Sequence, residues 1–152
     1  MNTFYFIMMV TIFLLYVGMV WYRFGVLTSI SESYYKLPRK QQVLFTLFCW
    51  GFAIPAMILG DSVLMFLAGS AICFVGAASA FKMKQVYYVH AIGAVVGMLL
   101  GLCYILFDAD QYWIATSLVI LTLILTKSKN FLWWTEIVVF TSICVTLGLK
   151  IF

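Results

Sequence analysis

Charge is scarce in this chain. Only 9% of its 152 residues are Asp, Glu, Lys or Arg, where a soluble domain carries roughly a quarter. Apolar residues reach 66% and the mean hydropathy is +1.12, which leaves no room for a hidden soluble domain. A single histidine excludes a three-histidine zinc site, and neither a metal nor a cofactor is expected. A GxSxG elbow, a P-loop, a dinucleotide fingerprint and an oriented Cys/His dyad are all missing. So are the helix-borne rows of Asp or Arg that mark ion pumps and voltage sensors. No basic helix or long basic patch exists, so the net charge of +4 gives no argument for nucleic acid. The four cysteines, Cys49, Cys73, Cys103 and Cys144, form no CxxC pair and fall inside apolar stretches. They read as small packing residues.

What the chain has instead is six apolar stretches, approximately 3–22, 42–59, 62–82, 87–107, 111–126 and 131–150. They are too long and too continuous for alternating strands. In lipid the backbone must satisfy itself within each segment, so they are expected to be helices. The fold class that follows is all-α: a polytopic membrane protein, one domain over 1–152, built as a six-transmembrane-helix bundle. Thr3 to Tyr22 is expected to be a retained helix, because no positive region precedes it and no small-residue cleavage site follows. Asn2 and the final Lys150-Ile151-Phe152 fit no lipidation box. The turns at Gly60-Asp61 and Asp108-Ala109-Asp110 are short, so spans 2–3, 4–5 and 5–6 are expected to be adjacent hairpins.

Basic residues alternate between the connections. Arg23, Lys36, Arg39 and Lys40 follow the first stretch, Lys82 and Lys84 the third, Lys127 and Lys129 the fifth. Asp61, Asp108 and Asp110 occupy the opposite connections, and only Lys150 breaks the pattern. Basic loops stay cytoplasmic, which predicts both termini on the extracytoplasmic side. The pairs Trp21-Tyr22, Tyr34-Tyr35, Tyr87-Tyr88, Tyr112-Trp113 and Trp133-Trp134 are expected at the headgroup level.

Small residues mark the packing faces. Gly93, Gly97 and Gly101 make two overlapping GxxxG units in the fourth span, and Gly69, Cys73, Gly76, Ala77 and Ala80 are small positions in the third. Close approach of these two helices is expected, with homodimerisation through the Gly93/Gly97/Gly101 face as the alternative. Pro55 is expected to kink the second span.

Three ionisable side chains are candidates for binding a ligand or titrating a proton. Glu136 lies six residues beyond Asn130, about 9 Å into its helix, too deep for so short a side chain to snorkel. It either serves a ligand or proton, or pairs with Lys127, Lys129 or Lys82. His90 is seven residues from Gly97 and therefore points into the bundle, as a packing residue or as a functional one. Glu32 ends the motif Ser29-Ile30-Ser31-Glu32, which fits a capping box for a short interfacial helix with Tyr34, Tyr35 and Leu37 in the headgroups. The alternative brings Glu32, His90 and Glu136 together in one polar pocket.

The order Ile30-Ser31-Glu32, Pro38, Phe45, Gly69 to Gly76, Phe81 and His90 with Gly93-Ala94 resembles the six-span family of damage-regulated autophagy modulators and its GPI-lipid-remodelling relatives. The resemblance covers about residues 29–107. It implies a lipid-linked or trafficking role and marks Ser31, Glu32 and His90 as matching positions. A glycine follows the acidic motif in that family, where this chain has Ser33 and Tyr34. The reading reached from the residues is a non-enzymatic integral membrane protein, associated with membrane lipids. It binds a lipid, small ligand or protein partner near its cytoplasmic face. Two alternatives stay open: a proton-coupled or small-solute transporter or channel using Glu136 and His90, and a lipid-acting enzyme depending on Glu32 and His90.

Overall fold

The computed structural model describes residues 1–78 and 84–152, with side chains at 1–77 and 88–152. The end of the third span, with Ala80 and Lys82, lies outside the described residues, as do the side chains of Lys84 and Tyr87. Every regular element described is helical: α1 (Asn2–Phe24), α2 (Ser33–Lys36), α3 (Val43–Gly60), α4 (Val63–Ala78), α5 (Lys84–Cys103), α6 (Tyr112–Leu125) and α7 (Phe131–Ile151). A 3-10 turn at Arg39–Gln41 leads into α3, and a π-helical turn at Tyr104–Asp108 extends α5.

Four segments are long and apolar enough to cross a membrane: Asn2–Phe24, Arg39–Gly60, Tyr88–Asp108 and Phe131–Ile151. The described part of α4 has 16 residues and α6 has 14. At 1.5 Å per residue they reach about 24 and 21 Å, short of a hydrocarbon core of about 30 Å. α6 ends at Leu125, one residue before the expected end of the fifth span.

Local chemistry explains where the helices stop. Gly25, at φ +72°, closes α1 by donating its N–H to the Trp21 carbonyl at 2.9 Å, a backbone angle that costs glycine little. Asp61, at φ +49°, ends α3, and the Ser62 hydroxyl then accepts the Met65 amide at 3.1 Å to cap α4. Lys150 donates its Nζ to the Gly60 carbonyl at 2.7 Å. The one lysine outside the charge alternation thus caps the negative end of α3.

α1, α3, α4 and α5 pack in chain order, and α7 touches α1, α3 and α5 while α6 packs along it. The expected α5–α6 hairpin is corrected: α6 meets the π-helical end of α5 but lies along α7. A short connection brings two helix ends together; it does not make the helices run side by side. The close approach expected between the third and fourth spans is present, as α4 and α5 pack along one another, but the glycines of α4 face elsewhere. A Cβ at Gly76 would lie 2.7 Å from Cys49 Cβ, and one at Gly69 would run into Met57, so both residues face α3. On α5, Gly93 faces Val75 and Gly97 faces Ile72 of α4, whereas Gly101 faces Ile143 of α7. A second copy using this last face would have to displace those three side chains.

Trp21, Tyr22, Tyr35, Tyr88, Tyr112 and Trp113 are exposed, whereas Tyr34 and Trp133 are buried within the bundle and do not lie on its surface. The Tyr34 ring lies edge-on to Phe45 of α3, and Trp133 belongs to the turn of α7 that meets the α1–α3 connection. Phe13, Phe52 and Phe140 meet in the core, with Phe140 edge-on to Phe52 at 4.6 Å.

Gly76→Ala forces a methyl onto a rigid neighbour and is expected to lower stability by about 1–3 kcal/mol. Gly18→Ala, with nothing within 4 Å of its added carbon, serves as the control. Thermal denaturation in detergent measures both. Equal midpoints would show that close approach of α3 and α4 does not depend on Gly76.

Candidate functional site

The connection from α1 to α3 does not trail through solvent. Leu27, Ile30, Tyr34 and Leu37 recur at helical spacing and are all buried, Ile30 to 2% exposure. This overturns the headgroup position expected for Tyr34 and Leu37; Tyr35 alone of the three is exposed. The apolar side of the segment lies on the bundle, over its basic end.

Hydrogen bonds hold it there. The first amides of α7 have no partners within their own helix, and Trp133 donates its N–H to the Thr28 carbonyl at 3.0 Å. One turn on, Glu136 Oε2 accepts the Ile30 amide at 2.5 Å. The Ile30 carbonyl takes the Ser33 hydroxyl at 2.5 Å, so the 2.7 Å contact between Tyr16 and Ser33 has the tyrosine as donor. Tyr16 itself stacks on Phe48, ring centres 4.5 Å apart. Ile30 is therefore gripped at both backbone groups, from α7 on one side and from α1 through Ser33 on the other.

Glu136 pairs with no cation among the described residues, which corrects the expected bond to Lys127 or Lys129; Lys82 lies outside them. Both described lysines are exposed to solvent. Glu32 turns the other way: its Oε2 accepts the Thr28 hydroxyl at 2.7 Å and the Thr28 amide at 2.8 Å, with Lys36 Nζ 3.5 Å from Oε1. The expected capping box is half formed. Ser29 Oγ accepts the Glu32 amide at 3.1 Å, but the carboxylate reaches Thr28 rather than Ser29. The bonds from Thr28, the hydroxyl foremost, hold the Glu32 carboxyl below its ordinary value of 4.5. His90 Nδ1 lies 3.2 Å from the Val75 carbonyl, and its ring centre lies 6.2 Å from that of Phe45. The carbonyl can only accept, so Nδ1 carries the proton.

Beneath Ile30 and Ser31 a cavity runs between α3, α4, α5 and α7. Its volume is about 60 Å³. Its lining on α4 extends from Val75 to Met65, about 15 Å at the helical rise. Phe48, Phe52 and Phe140 wall one side and Ala68, Gly69 and Gly97 contribute small surfaces. Of the four candidate side chains, Glu136 and Ser31 line this cavity, whereas Glu32 and His90 are not part of its wall. Among the described residues, no three His, Cys, Asp or Glu side chains converge as a metal site.

Tyr16, Thr28, Ile30 and Ser33 escaped the sequence reading. The helical spacing of Leu27, Ile30, Tyr34 and Leu37 was the available signal for the buried loop. The grip on the Ile30 backbone had none. Compared with protein-family models, with curated proteins and with solved structures, the chain matches none of them.

Glu136→Ala leaves the Ile30 amide without its acceptor, at a cost of about 1–3 kcal/mol. Hydrogen exchange at Ile30 is expected to speed up about ten- to a hundredfold, while Glu136→Gln, which keeps a carbonyl oxygen, retains most of the protection. Unchanged exchange in the alanine variant would remove the grip from the account. A second measurement concerns pH. The Glu32 carboxyl titrates lower in the folded protein than in the unfolded chain. Its stabilisation of the loop is therefore complete above pH 4.5 and is lost as pH falls below that through the folded value. Corrected for intrinsic rates, exchange at the Thr28 amide should rise in that acidic window in the wild type and be level in Glu32→Gln. A rise that persists in the variant assigns the pH dependence to another group.

Proposed function

We propose that this chain is a six-span integral membrane protein that binds a lipid or similar amphiphile in the cavity under Ile30, without catalysing a reaction on it. The observation that carries the reading is the cavity's polarity: an apolar lining that follows α4 for about 15 Å, with Ser31 of the loop and Glu136 of α7 as polar side chains at the loop end. Ligand sites of this kind are apolar clefts with a few placed polar groups that orient the ligand.

The membrane setting is supported by four helices of sufficient length and apolarity. α4 and α6 complete the six spans in a bilayer that thins locally around them, at fractions of a kcal/mol per Å. Arg23, Lys36, Arg39, Lys40, Lys127 and Lys129 gather at the end where the loop lies, which supports a cytoplasmic position for the cavity mouth and extracytoplasmic termini. The resemblance over residues 29–107 agrees with a lipid-linked role.

Native mass spectrometry of protein extracted in mild detergent tests this. A bound amphiphile is expected on the wild type and lost in Ala94→Leu, which fills the cavity from α5. An identical adduct on that variant would place the ligand elsewhere on the protein. A wild type that carries no adduct and takes none from added membrane lipid would remove the reading.

A further inference from the structure

We infer that the occupant of this cavity is a single-chain amphiphile whose head is an amine, its nitrogen seated on Glu136 Oε1. This rests on the cavity being a ligand site. The head group follows from charge. Among the described residues Glu136 is the one carboxyl or basic side chain in the lining, and no described Lys, Arg or His joins it there. A carboxylate or phosphate head would meet a carboxyl group with no counter-cation, in surroundings where like charges repel far more than in water. An ammonium meets the opposite.

The acceptor capacity of Glu136 is only partly used. A carboxyl group offers two oxygens and about four lone-pair sites. The Ile30 amide takes Oε2, and among the described residues nothing donates to Oε1. Ser31 Oγ lies 3.0 Å from Ser29 Oγ and keeps room for a second partner. An amine supplies donors for both, and the bond to Glu136 has the same form whichever partner holds the proton. Lys127 and Lys129, exposed at the surface, are not drawn in to neutralise the site.

The chain number follows from width. A cavity of about 60 Å³ is smaller than the roughly 150 Å³ that takes up benzene in an engineered core, and its lining follows α4 for about 15 Å, so it has room for one slender chain at most. A diacyl lipid does not fit such a passage with both tails. Non-specific attraction works against the proposal, because the protein carries a net charge of +4 and the basic residues cluster around this end. A preference for an amine therefore cannot arise from the protein's overall field.

The test compares dodecylamine, dodecanol and dodecanoic acid at neutral pH. Each is titrated onto wild type, Glu136→Gln and Ala94→Leu in zwitterionic nanodiscs and read by native mass spectrometry. Dodecylamine is expected to bind about tenfold tighter than dodecanol, with dodecanoic acid weakest. Glu136→Gln, which keeps the acceptor for Ile30, should remove the amine's advantage and leave dodecanol unchanged; Ala94→Leu should abolish both. Equal binding of amine and alcohol, preference for the acid, or an amine advantage that survives Glu136→Gln overturns the amine head while the cavity stands as a site. Failure of all three to bind the wild type removes the ligand site itself.

Discussion

Glu136 and the amide of Ile30 solve each other's problem. A carboxyl group two turns into an apolar helix is costly unless something donates to it. A loop amide pressed onto a hydrophobic bundle is costly unless something accepts from it. Their hydrogen bond joins positions 106 residues apart and settles both costs. The rest of the basic end is arranged around it. Because Ile30 is held there, Thr28 reaches the first amides of α7, Ser33 comes under Tyr16, and Ile30 and Ser31 roof the cavity. Without that bond, neither the loop's position nor the polar end of the cavity has a cause.

The cavity itself is a consequence of uneven helix packing. Small residues let α3, α4 and α5 approach closely: Gly69 and Gly76 toward α3, Gly93 and Gly97 toward α4. In lipid that is how association is gained, since apolar burial alone gives no advantage over the surrounding chains. Side chains on the neighbours strengthen it. Thr46 and Trp50 donate to the carbonyls of Gly76 and Cys73, and His90 does the same at Val75. α7 presents Ile143, Val139 and Phe140 instead, larger groups that keep it further from α3 and α5. The gap between a tightly joined sheet of three helices and a more distant fourth is where the passage lies.

This division explains what was legible in the sequence. Helix positions were, because nearly every apolar run ends at a charge or a glycine, and among the described residues the helices begin and end within a few residues of those runs. The depth of Glu136 was too, since its distance along the helix from Asn130 sets it, whereas its partner stayed open. Which neighbour a face meets was not. Gly69 and Gly76 share a face by their seven-residue spacing, but spacing does not say whether α3 or α5 lies opposite. The partner of Glu136 was less legible still. Lysines are visible in a sequence as candidate partners, whereas every residue other than proline has an amide, and nothing in the letter Ile marks position 30 as the one used.

The basic residues consequently have a narrower role than their proximity suggests. Lys127 and Lys129 sit three and one residues before Asn130, close enough in sequence to neutralise Glu136, yet they stay in solvent. A lysine turned inward would have closed an ion pair and filled the polar end of the cavity with its own head group. An amide satisfies one carboxyl oxygen, carries no charge and occupies no space in the passage. Charge that orients the protein is thereby kept apart from charge that faces the cavity. The acceptor in the wall of the passage is left to whatever enters it.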